Sequence, residues 1–63
     1  MNNELLLETA YAAARKVSDL VHNQGYPINR MELGQLTSLV NSYEFRTAYR
    51  KAFGMLPEKV PNV

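Results

Sequence analysis

The apolar residues change sides in the second half of this chain. On a helical wheel of about 100° per residue, Leu33, Leu36 and Val40 centre near roughly 30°, whereas Phe45, Ala48, Tyr49, Ala52 and Phe53 centre near roughly 190°. A straight helix would carry these faces on opposite sides, where they could not share one core. The chain is therefore expected to break near Ser38 to Ser42, giving a third helix over about residues 42–53. The alternative is a continuous helix gripping two partners.

Start and stop signals agree with the break. Asn29 stands three residues before Glu32, a capping-box spacing with Asn in the Ser/Thr place, and Ile28 and Leu33 flank it as a hydrophobic staple. The same signals recur twelve residues on, where Asn41 precedes Glu44 and Val40 and Phe45 form the second staple. Gly54 follows Phe53 as a stop. Gly34 lies inside the middle helix at a cost of about 1 kcal/mol relative to alanine, which suggests a close helix crossing.

The first helix is read over about residues 4–24. Asn3 serves as N-cap, and Glu4 and Glu8 suit the positive end of the dipole. Leu6, Ala10, Ala13, Val17 and Leu20 alternate spacings of four and three, and Leu7, Tyr11, Ala14 and Val21 widen the stripe. Gly25 and Pro27 end it, with Tyr26 expected to fold back on Val21. The fold class is thus all-α: one long helix, then two shorter ones in a helix-turn-helix-like arrangement. Residues 1–54 form a single helical domain. Residues 55–63, with Pro57 and Pro61, form an extended tail that Met55, Leu56 and Val60 dock onto the body.

Size sets a further condition. At 63 residues without cysteine, the chain has neither disulfides nor thiolate metal sites to supplement a small core. A homodimer is expected, with Leu6, Ala10, Ala13, Val17 and Leu20 as a heptad-like seam. The amino terminus lacks the basic region and apolar core of a signal peptide, and no segment reaches transmembrane length, so the expected location is cytoplasmic with no membrane contact.

Charge argues against a dedicated nucleic-acid binder. Residues 1–29 carry Glu4, Glu8 and Asp19 against Arg15 and Lys16, a net −1; residues 30–63 carry a net +2. DNA-binding domains show a stronger basic excess. If helix 3 read DNA, Arg46, Arg50 and Lys51 would make the contacts; otherwise they solvate that helix and favour its negative end.

Nothing in the sequence assembles chemistry. His22 is the single histidine and lies on the polar side of the first helix, with Asp19 three residues away but no nucleophile. There is no phosphate loop and no metal-ligand spacing. The reading is a protein that is not an enzyme and takes no cofactor, metal or small-molecule substrate. Tyr11 and Tyr49 fit core faces. Tyr43 stands off the face of the third helix, and Leu39 off the main stripe. Both either pack a turn or serve a protein contact.

Two resemblances sharpen the expectation. Residues 33–57 resemble the second helix-turn-helix of AraC-type transcription factors, whose pattern F-x-x-x-F-K-x-x-F-G-x-x-P is met by Phe45, Tyr49, Arg50, Phe53, Gly54 and Pro57. Leu33 and Gly34 match the aliphatic-small pair, and Leu39 falls on the apolar turn position. Ser38 replaces the turn glycine, and Thr47 stands where arginine is favoured. The whole chain is similar to the AraC negative regulators, small helical antiactivators of Gram-negative pathogens. That similarity lies in its length and in "ELLLETAYAAARKVSDLV", "INRMELGQLTSLVN" and "FRTAYRKAFGMLP". It implies binding to an AraC-type activator and negative regulation of virulence gene transcription, with no enzyme activity. Leu6, Leu7, Tyr43 and Tyr49 are the expected contacts. The alternatives are a minimal helix-turn-helix DNA-binding protein and a structural dimerisation module.

Overall fold

Three helices follow one another: α1 over Asn3–Gln24, α2 over Arg30–Asn41 and α3 over Tyr43–Phe53. The structure, a computed structural model, describes residues 3–62. Helix α1 packs against both shorter helices, which also pack on each other.

The break predicted from the phase reversal falls at Ser42. Its backbone is extended, at φ −66° and ψ 155°, so one residue turns the chain from α2 into α3. That turn brings the two faces together: Val40 from α2 and Phe45 from α3 are buried in one cluster with Ala14 of α1. Leu7, Ala10, Tyr11, Leu36 and Tyr49 pack around them.

The cap at this corner differs from the expected one. Ser42, not Asn41, is the N-cap of α3, its Oγ accepting from the Phe45 amide at 3.1 Å and donating to the Leu39 carbonyl at 2.8 Å. A serine oxygen sits close to its own backbone and reaches both groups across the corner. Asn41 remains helical and is free for other work. At the start of α2 the expected cap is present, with Asn29 Oδ1 accepting from the Met31 amide at 2.8 Å. Asn3 is already helical and is not a cap; the residues before it lie outside the described part.

Helices α1 and α3 stop at left-handed glycines, Gly25 at φ 68° and Gly54 at φ 76°. Beyond Gly25 the Tyr26 amide donates to the Leu20 carbonyl at 3.0 Å, although the Tyr26 side chain remains 55% exposed. Gly34 does not mark a close helix crossing. A Cβ there would meet only the Asn62 side chain, at 3.9 Å.

The tail belongs to the core. Val60 is 3% exposed and joins the central cluster, and Pro57 is buried. Met55 and Leu56, also expected to dock, are 63% and 51% exposed. The folding unit therefore extends past Gly54, because the three helices leave a slot that Val60 fills.

Candidate protein-binding surface

All three helices hold the tail through its backbone. From α1, Tyr11 donates to the Glu58 carbonyl at 2.7 Å and Ser18 to the Pro61 carbonyl at 2.8 Å. From α2, Asn41 grips both backbone groups of Val60: Nδ2 donates to the carbonyl at 2.9 Å, and the Val60 N–H donates to Oδ1 at 2.8 Å. From α3, Arg46 Nη2 donates to the Pro57 carbonyl at 3.2 Å. Pro57 and Pro61 cannot continue a helix, so the tail's carbonyls need such outside donors.

This pinning changes the standing of the basic residues. Arg46 is half-buried and committed to the tail, while Arg50 and Lys51 are exposed. The three do not present one reading edge. Ser38 and Leu39, the turn positions of the AraC-like pattern, are helical here, and the corner is tighter than the roughly three- to four-residue turn of a DNA-reading helix pair.

The four expected contact residues divide into pairs. Tyr49 is half-buried between Tyr11, Phe45 and Phe53, with ring centroids at 5.5, 6.3 and 4.6 Å. Leu7 packs on the core cluster. These two serve the fold first. Leu6 and Tyr43 stand open, at 56% and 80% exposure. Along the expected seam Leu6 and Ala13 are exposed, and Ala10, Val17 and Leu20 are half-buried. The face that α1 turns inward instead carries Leu7, Tyr11, Ala14 and Ser18, about a third of a turn away.

Ser18, 3% exposed, escaped the sequence reading. It lies four residues after Ala14 and seven after Tyr11, a core register that its polarity disguised. His22 is exposed, with Nδ1 2.9 Å from the Ser18 carbonyl and 3.2 Å from its Oγ. The Ser18 hydroxyl beside it is buried and donates to the Pro61 carbonyl, so the contact is a local one that ties α1 to the tail. A groove of about 510 Å³ beside it runs between α1 and the tail, with Arg15, Asp19, Glu58 and Lys59 on its walls. Both signs of charge occur there. Among the described residues no group of acids or histidines is placed to hold a metal ion, and no helix is long and apolar enough to cross a membrane.

No protein family, curated protein or solved structure matches this chain.

Proposed function

We propose that this protein is an antiactivator that binds an AraC-type transcriptional activator and keeps it from DNA, lowering virulence gene transcription in the cytoplasm. The observation that supports this reading most is the number of large apolar side chains left exposed once the core is filled. Leu6, Met31, Leu39, Tyr43, Met55 and Leu56 are each more than half exposed. Exposed aromatic and methionine side chains such as Tyr43, Met31 and Met55 are enriched at protein contacts, and Tyr43 and Leu56 lie beside one groove. The second support is the likeness of the three quoted segments to the AraC negative regulators.

The mechanism is occupation of a helix-packing surface that the activator needs for dimerisation or DNA binding. Tyr43 is the contact residue of choice, since Leu6 is taken up by the dimer seam. Leu7 and Tyr49 act behind it by holding α1 and α3 in place. The working form is a homodimer joined along Leu6, Ala10, Ala13, Val17 and Leu20, which covers the exposed flank of α1. DNA contact by Arg46, Arg50 and Lys51 is not part of this reading, since Lys51 lies more than a quarter of a turn round α3 from the other two.

The test mixes purified activator with this protein, follows binding by calorimetry, and follows release of promoter DNA. A micromolar complex that frees the DNA is expected. Absence of a complex, or one that leaves DNA binding unchanged, removes the antiactivator reading.

A further inference from the structure

A second groove, of about 410 Å³, runs between α3 and the tail. Arg46, Arg50 and Lys59 line it together with Tyr43 and Leu56, and no carboxylate does. Arg46 and Arg50 are one helical turn apart on α3, a like-charge spacing that is unfavourable by itself. Lys59 adds a third cation from the tail. The chain as a whole carries only +1, so this is a local excess and not part of a general basic surface.

Arg46 is also short of acceptors. One nitrogen donates to Pro57, but its buried Nε has no partner among the described residues. A guanidinium offers five N–H donors in a fork suited to carboxylates. An entering acid would relieve the repulsion between the three cations. The rim is apolar, with Tyr43 80% and Leu56 51% exposed.

We infer that this groove takes an acidic, apolar segment of the partner protein. Its Asp or Glu side chains sit on Arg46, Arg50 and Lys59, and a neighbouring leucine or aromatic side chain lies on Tyr43 and Leu56. The inference rests on the protein-binding reading above and adds the chemistry of what is bound. A nucleic acid fits less well. Duplex affinity comes mainly from many Lys and Arg contacts to phosphates, and a concave site with three cations and an apolar rim offers few.

The probe is a short fluorescein-labelled peptide of alternating Asp and Leu, followed by anisotropy with the full chain. Peptides with Lys for Asp, or Ser for Leu, are the controls, and labelled duplex DNA is the competing ligand. The acidic apolar peptide should bind at least about tenfold more tightly than either control. Arg50→Glu combined with Lys59→Glu should weaken it by at least about tenfold, a change that leaves Arg46 and its tail contact intact. Lys16→Glu, on the exposed side of α1, should leave it unchanged. Circular dichroism checks that the variants remain folded. Tighter binding of the duplex, or peptide binding indifferent to the double charge reversal, overturns the inference. The double variant is then mixed with purified activator. If wild type and variant bind the activator equally, the groove assignment fails and the antiactivator reading stands. If neither binds it while the peptide responds as described, the antiactivator reading fails and the groove assignment stands.

Discussion

Asn41 shows how much one side chain can settle. Its amide matches the N–H and C=O of Val60 simultaneously, a two-point grip that holds a valine in the core. Asn41→Ala leaves both backbone groups short of a partner, so a loss of about 1–3 kcal/mol is expected in urea unfolding. Val60→Ala removes two buried carbons, for a loss of about 1.5 kcal/mol. The double variant should fall short of the sum, because either change alone loosens the tail. Gly34→Ala points the other way. Its new methyl group meets only Asn62 at ordinary contact distance, so the variant should gain up to about 1 kcal/mol. Tyr43 belongs to binding rather than stability. At 80% exposure, its replacement by alanine should leave unfolding unchanged within about 0.5 kcal/mol. It should weaken the activator complex at least about tenfold, as read by calorimetry.

At the scale of the element, the corner at Ser42 decides the fold. It turns two opposed apolar faces onto one core, and it does so with a single residue whose hydroxyl serves both helix ends. Ser42→Ala should cost about 1 kcal/mol, and more if the Leu39 carbonyl stays unpaired. Backbone chemical shifts should show helix on either side of Ser42 and an extended residue between. Unbroken helical shifts from Arg30 to Phe53 would contradict the corner. The tail is an element too, although it has no regular structure. A chain ended after Gly54 should lose cooperative unfolding, since it lacks Val60, Pro57 and the acceptors of Tyr11, Ser18 and Arg46.

At the scale of the whole molecule, the buried apolar core is small: Ala14, Leu33, Val40, Phe45 and Val60. A domain of this size gains from burying more surface with a second copy. Sedimentation at micromolar concentration should therefore give twice the 7.2 kDa chain mass, and Ala13→Glu should return it to one. A wild type that sediments as a monomer would count against the seam. DNA binding should be weak, without sequence preference, and lost steeply with salt. A sequence-selective footprint at physiological salt would favour the helix-turn-helix alternative.

Periodicity, caps and glycines were enough to divide the chain into three helices, because those signals act over one or two turns. The phase reversal was enough to require a bend, because a helix cannot be apolar on opposite sides and bury both in one small core. Which cap closes the bend was not readable. Asn41 and Ser42 both suit an N-cap, and the choice depends on Val60, nineteen residues away, taking the asparagine. The inward face of α1 was likewise ambiguous, since apolar residues cover well over half of its wheel. Only the slot between α2, α3 and the tail selected Leu7, Tyr11, Ala14 and Ser18 over Leu6 and Ala13. The cationic groove was out of reach for the same reason: Arg46 and Arg50 meet Lys59 only after the tail has folded back. Local order follows from local chemistry, whereas the tail's position comes from side chains far apart in sequence that converge on its backbone.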